Sequence, residues 1–400
     1  MNRWLLPQGI EDVLPERAEA IEGLRRRLLD LYHRWGYALL MPPEVEFLDS
    51  LLTGVGSDLS LRTMKVVDQA SGRLMGFRAD MTPQVARVDA SRLPGDGPRR
   101  LCYAGTVMRA QPDNYGRSRA PLQVGAEIFG VSAPSADAEV IGLMAATLSE
   151  VGVHHPTLDL GHVGLYRALV QDLDLDGDRA ADLLDAVRRK DGAEIDRLAA
   201  ATGASSRLRR ALVALSDLHG GLEVLDEARV CAVNPEAEAA LAELRELVDH
   251  LQQRELADLL SLDLGELRGY DYHTGPVFAA YVEGQGEAVL FGGRYDGIGA
   301  AFGRSRPATG MSSDLKVLAD LMERPVPAPQ GVLAPAKGPG ELQRTIQSLR
   351  AQGVRVIQAL EETDWENLTA QARELGCGQV LEYEAGRGWR TRPVDAESED

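Results

Sequence analysis

The stretch "VMRAQPDNYGRSRAPLQVGAEIFG", residues 107–130, decides how the rest of the chain is read. Its first half places Arg109, Arg117 and Arg119 within eleven positions of a protein whose formal net charge is -18. Guanidinium groups gathered against that background suit a phosphate or a carboxylate, whose two oxygens match their planar donors. Its second half alternates as a strand does, so Gln123 and Glu127, four apart, fall on one face. Flanked by Leu122, Val124, Ile128 and Phe129, two polar groups turned inward are costly unless they bind something. A polar row turned to solvent fits the same pattern, and the pattern alone leaves both open.

Working outward, residues 15–35 predict an amphipathic helix with Ile21, Leu24, Leu28, Tyr32 and Trp35 on one stripe, ended at Gly36. "YALLMPP" then predicts a short strand closed by Pro42 and Pro43. From about 60 to 165, short apolar runs parted by turns, with few helical stretches, predict an antiparallel sheet. Between 166 and 254 the texture becomes Ala-, Leu-, Asp- and Arg-rich, which predicts a helical insertion. Its 18 acidic and 12 basic side chains offer no positive face. Strands resume in "LSLDLGEL", "PVFAAYVEG" and "EAVLFGG". The expected organisation is an α+β core, residues 1–165 and 255–323, interrupted by the insertion at 166–254. A Pro-rich linker at 324–330 leads to a small α/β domain at 331–394, and the acidic run "DAESED" at 395–400 is expected to be disordered.

Composition narrows the function. With 61 Asp and Glu against 43 Lys and Arg, the field of the whole chain repels a polyanion, which weighs against RNA or DNA as main partner. No run approaches the ~20 apolar residues of a membrane span. "MNRWLLPQGIED" holds too short an apolar run for a leader, so a cytoplasmic protein is expected. Cys102, Cys231 and Cys377 fit no metal spacing and are expected to be buried thiols; no metal or cofactor is expected. "DLDLDGD", 172–178, opens like a calcium loop. Its twelfth position holds Leu183 where a bidentate glutamate is needed, so a turn capping the next helix is the better reading.

Three further stretches carry chemistry. In "FRADMTPQVAR", Asp80 and Thr82 precede a predicted helix, and Asp80 suits either a ligand amine or the helix start. "ELRGYDYHTGPVF", 266–278, packs Arg268, Tyr270, Tyr272 and His273 into six residues, a set able to enclose a small polar ligand. In "LFGGRYDGIG", Gly292 and Gly293 allow close backbone approach, and Arg294 can form a salt bridge or hold a ligand.

In this order the stretches resemble the class II aminoacyl-tRNA synthetase fold, an antiparallel sheet core flanked by helices. Within it they resemble histidyl-tRNA synthetase, over roughly residues 5 to 320. "WGYALLMPPEVE" is similar to the motif 1 that builds the dimer, with Pro43 as its proline, and "MRAQPDNYGRSRAPLQVGAEIFG" to motif 2. "FRADMT", "LRGYDYHTG" and "FGGRYDG" resemble the histidine-specific signatures. The resemblance implies a histidine site. Asp80, Thr82 and Gln123 would take the α-amino group and Arg109 the carboxylate. Glu127 with Tyr270, Tyr272 and His273 would face the imidazole, and Arg268 stands at the synthetase's catalytic arginine.

The departures matter as much. Motif 3 of the synthetase ends in a glycine and an arginine that serves ATP, and "PATGMSSDLKVL" puts Asp314 and Val317 there. A carboxylate gained and a cation lost disfavour a triphosphate, so Arg117, Arg119, Asp314 and Val317 mark a degenerate ATP site. Gln111 and Asp80 each replace a usual glutamate, and residues 331–400 hold 12 acidic to 8 basic side chains, unlike a tRNA-grasping domain. These features, with "DLGHVGLYRALV" at 159–170 and "PATG" before an Asp, resemble the regulatory subunits of ATP phosphoribosyltransferase, synthetase paralogues that do not aminoacylate. That resemblance implies a non-catalytic subunit that activates the short-form catalytic subunit in the first step of histidine biosynthesis. It also implies L-histidine as effector and a homodimer within a hetero-oligomer, with no tRNA. Two other functions fit the residues: an active histidyl-tRNA synthetase with a degenerate motif 3, and a free-standing histidine-binding protein.

Overall fold

A computed structural model describes residues 4–54, 57–112, 118–270, 272–322 and 331–394. They fall into two compact units, one of 4–13 with 21–322, the other of 14–20 with 331–394. The expected linker at 324–330, the expected tail at 395–400 and Arg117 lie outside the described residues.

In the larger unit nine strands join in the order 38–39, 99–106, 122–129, 308–314, 290–294, 276–281, 157–162, 260–263, 219–220. Two neighbouring pairs run parallel, 38–39 with 99–106 and 157–162 with 260–263; the other six are antiparallel. This is the expected α+β architecture. Side-chain alternation gives the sheet two unlike faces. From strand Leu122–Phe129, Val124, Ala126 and Ile128 enter the main core, while Phe129 and Glu127 turn the other way. Helix Pro134–Glu150 packs on the first face, and helix Pro235–Gln252 packs against that helix and against helix Val163–Val170. On the second, helix Thr82–Ser91 and the 3-10 turn Ile298–Phe302 enclose a smaller cluster of Met81, Val85, Leu101, Tyr103, Phe129 and Tyr295.

Helix Pro134–Glu150 departs from the expectation of few helices between 60 and 165. Its buried residues include Ala136, Ala138, Val140, Ile141, Leu143 and Met144, so apolar groups run nearly all round it and no stripe marks it in the sequence. The acidic turn at 172–178 is a helix cap: Asp176 accepts the amide of Arg179 at 2.9 Å and starts helix Gly177–Arg188. All three cysteines are free and buried, and no described helix is long and apolar enough to cross a membrane.

A separate three-stranded sheet, 45–47, 74–77 and 65–67, belongs to the same unit. In the smaller unit, strands 356–358, 331–334 and 377–384 run parallel and 388–393 returns antiparallel, with helices Leu342–Ala351 and Trp365–Glu374.

Candidate functional site

Glu127 is the centre of the second sheet face. Its cross-strand neighbour is Gly310, whose own neighbour on the next strand is Gly293. A Cβ on Gly310 would lie 1.4 Å from Glu127 Oε2, and one on Gly293 would lie 2.6 Å from His273 Cδ2. Glycine there lets side chains lie flat on the strands. Glu127 is 1% exposed. Its Oε1 accepts from Tyr103 Oη at 2.9 Å and Thr82 Oγ1 at 3.1 Å, and its Oε2 from Tyr295 Oη at 2.5 Å. Burial pushes its carboxyl up to about 8 against the pull of these hydroxyls, and among the described residues it pairs with no cation.

The surrounding groups form one network. Thr82 donates its amide to Asp80 Oδ1 at 2.9 Å, and Gln123 Nε2 donates to the same oxygen at 2.9 Å. Asp80 therefore serves the start of helix Thr82–Ser91 and stands beside Gln123 at once. Gln123 Oε1 accepts the amide of Met81, and Arg109 Nε reaches the carbonyl of Ala79 at 3.5 Å. Tyr272 stacks on Tyr295 with ring centroids 5.0 Å apart, and meets His273 edge-on at 5.3 Å. Burial takes the His273 imidazole down to about 4. Tyr272 Oη and His273 Nδ1 are buried with no hydrogen-bond partner among the described residues.

Two expected members lie elsewhere. Arg268 donates to Tyr281 Oη at 3.2 Å and pairs with Glu266 at 3.6 Å, half exposed. Tyr270 packs edge-on against Tyr166 at 5.4 Å, under the Arg167 guanidinium at 4.8 Å. The cause is Gly269, with φ 64°: the amides of Tyr272 and His273 both bond back to its carbonyl, so residues before and after the turn face different ways. Tyr103 and Tyr295, neither of them an expected site residue, both donate to Glu127. Tyr103 lies on the neighbouring strand with the alternation of Leu101, and Tyr295 directly follows the quoted "GGR", but only strand pairing connects either to Glu127.

The nucleotide side is different again. Arg109 and Arg119 stand just beyond the strand ends rather than within them, still paired through Arg109 N to Arg119 O at 2.8 Å. The Arg119 guanidinium donates to the carbonyls of Arg109 at 3.0 Å and Gln8 at 3.4 Å. Asp314, expected to repel a triphosphate, caps helix Leu315–Asp320 and accepts the amides of Lys316 and Leu122 at 3.0 and 3.1 Å. Val317 packs against the main core. Lys316, a cation not singled out in the sequence, pairs with Glu11 at 3.0 Å. Arg294 forms a buried ion pair with Asp137, the salt bridge that was one of its two expected uses.

Sheet order and site together are of the class II aminoacyl-tRNA synthetase type, in its histidyl form. The histidyl-tRNA synthetase family model matches residues 9–318, and that of the ATP phosphoribosyltransferase subunit HisZ C-terminal domain matches residues 329–392. The crystal structure of histidyl-tRNA synthetase from Nostoc sp. superposes with TM-score 0.79 at 17% identity, over 96% of this chain and 92% of that one, a likeness of fold. A structure from Bacillus halodurans described as an ATP phosphoribosyltransferase regulatory subunit/histidyl-tRNA synthetase gives TM-score 0.79 at 26% identity, over 92% and 96%. The ATP phosphoribosyltransferase regulatory subunit of Pseudomonas paraeruginosa is 51% identical over 397 residues, 98% of this chain and 99% of the relative. That of Thioalkalivibrio sulfidiphilus is 49% identical over 391 residues, 97% and 98%. The chain belongs to the family of ATP phosphoribosyltransferase regulatory subunits.

Proposed function

We propose that the chain is the non-catalytic regulatory subunit of an ATP phosphoribosyltransferase, activating a short-form catalytic subunit in the first step of histidine biosynthesis and binding L-histidine as its feedback effector. Family membership supports the role. The histidine site is carried by one observation: among the described residues the buried Glu127 carboxylate is met by three hydroxyls and no cation, beside two buried polar atoms, Tyr272 Oη and His273 Nδ1, that lack partners among those residues. A histidine ligand supplies what is missing. Its imidazole N–H suits Glu127 and the Tyr272 and His273 side, its ammonium suits Asp80, Thr82 and Gln123, and its carboxylate suits Arg109. A buried carboxylate without a cation is costly, and a cationic ligand offsets that cost.

Nucleotide activation is not part of the role. Arg119 and Lys316 are engaged by the chain itself, and Val317 stands at the synthetase's arginine. One missing preorganised cation costs about 3 kcal/mol of transition-state stabilisation, so no histidine-dependent ATP–pyrophosphate exchange is expected. The acidic chain also favours no tRNA partner, and its expected place is the cytoplasm. A homodimer within the hetero-oligomer is supported by exposed apolar groups around the short sheet and the neighbouring edge: Leu39, Met41 (80% exposed), Phe47, Val66, Val67 and Leu74.

The test mixes the chain with a short-form catalytic subunit and assays turnover with and without histidine. A stable hetero-oligomer with raised, histidine-inhibited turnover is expected; separate sedimentation with unchanged rates overturns the role. Calorimetry locates the effector. Glu127→Ala should weaken histidine binding by about 1.5–3 kcal/mol, and an unchanged affinity places the effector site elsewhere.

A further inference from the structure

The sheet face opposite Glu127 holds a second buried polar cluster, built around the base of the loop that carries Tyr272 and His273. Arg294, 3% exposed, donates to Asp137 Oδ2 at 2.5 Å and to the carbonyl of Val131 at 3.0 Å. His162, also 3% exposed, ends strand Thr157–His162. Glu243, on helix Pro235–Gln252, reaches both: its Oε2 lies 3.3 Å from His162 Nε2 and its Oε1 3.9 Å from Arg294 Nε. Between those two residues runs segment 274–276. Thr274 donates its amide to the Arg294 carbonyl at 2.7 Å, Val163 donates to the Gly275 carbonyl at 3.1 Å, and Pro276 is the cross-strand neighbour of His162. A Cβ on Gly275 would lie 3.1 Å from Arg294 Cδ, so the guanidinium stem lies close over this backbone. One residue beyond Arg294, on the other face, Tyr295 donates to Glu127.

We propose that Glu243 is a positioning residue for the Glu127 pocket: from the helical layer it braces Arg294 and His162, and through them the segment that sets Tyr272 and His273 against Tyr295. The affinity readout rests on the histidine-site reading; the brace itself does not. Glu243 is 30% exposed at its side chain, so the brace opens to the protein surface on a helix far in sequence from the pocket. Without its carboxylate, His162 has neither nitrogen partnered among the described residues, because Nδ1 already has no partner there. A ring so placed turns or draws in water, and the backbone it flanks loosens. By linkage, any partner that displaces Glu243 changes histidine affinity, and histidine changes that partner's affinity by the same factor.

The test uses the full chain as wild type, Glu243→Ala, Glu243→Gln and, as a control, Leu244→Ala, which empties a core position on the same helix. Histidine affinity is measured by calorimetry well below the unfolding temperature, and amide exchange is followed over residues 272–276. Glu243→Ala should weaken histidine about fivefold and speed exchange in that segment. Glu243→Gln, which keeps an amide group for His162, should recover most of both. Leu244→Ala should lower thermal stability more yet leave affinity within about twofold, since Leu244 is a buried member of the main apolar core and carries no polar group to the brace. Wild-type affinity and exchange in Glu243→Ala, or an equal affinity loss in Leu244→Ala, overturns the proposal. Should the wild type bind no histidine, the effector reading fails alone, and exchange still decides. Exchange faster in Glu243→Ala than in Leu244→Ala upholds the brace, and equal rates refute it.

Discussion

Glu127 and Asp137 are both fully buried, on opposite faces of one sheet, and they keep different company. Asp137 is gripped by the Arg294 guanidinium; burial raises its carboxyl and Arg294 draws it back. Among the described residues Glu127 meets three hydroxyls and no cation, and burial pushes it up to about 8. A carboxylate supplied with its own guanidinium has its charge balanced within the fold, although Asp137 Oδ1 finds no hydrogen-bond partner among the described residues. One left with neutral donors keeps an electrostatic deficit that a cationic ligand can fill.

The largest expected effect tests the completed pair. Asp137→Ala leaves the buried Arg294 guanidinium with its longer contacts to Asp296 at 3.5 Å and Glu243 at 3.9 Å, and should cost about 3 kcal/mol in urea denaturation. Glu127→Ala removes only hydroxyl partners and should cost clearly less; equal losses would erase the contrast. Next comes the floor beneath Glu127. Gly310→Ala drives a methyl into the carboxylate, and overpacking of this kind costs about 1–3 kcal/mol. Histidine binding should be lost with it, and a variant that binds normally would show that Glu127 need not lie where it does.

The pH profile sharpens the comparison further. The folded carboxyl of Glu127 titrates near 8, above its ordinary 4.5, so the folded state holds its proton more tightly than the unfolded chain. Its contribution to stability is fully present below 4.5 and is lost as pH rises through about 8. Denaturation at a series of pH values should show that decline in the wild type and a shallower one in Glu127→Gln. The smallest effect lies on the nucleotide side. Arg119→Ala forfeits bonds to two backbone carbonyls, about 0.5–1.5 kcal/mol of stability, and should leave histidine affinity unchanged.

Much of the site was legible along the chain because a strand's period of two is local. Gln123 and Glu127 had to share a face, and both are buried. The inward reading was right and the polar solvent row was not. Asp80 stands just before a helix that exists, and Thr82, expected before it, is its first residue. Legibility failed wherever the answer depended on a neighbour distant in sequence. Tyr103 and Tyr295 meet Glu127 only through strand register, and helix Pro134–Glu150 hides its period by being buried nearly all round. Arg268 and Tyr270 looked inseparable from Tyr272 and His273, until the positive φ at Gly269 turned them apart.

The sequence by itself determined the α+β class, the family resemblance and most residues of the polar site. Each rests on residue type and spacing, which local geometry converts into faces and caps. Tertiary structure alone decided which carboxylate received a cation, since Arg294 and Asp137 are separated by 157 positions. It also decided that Arg119 and Lys316 turn to the N-terminal segment, at Gln8 and Glu11. Charge pairing depends on distances of a few ångströms in space, and those are fixed only when distant strands and helices have packed.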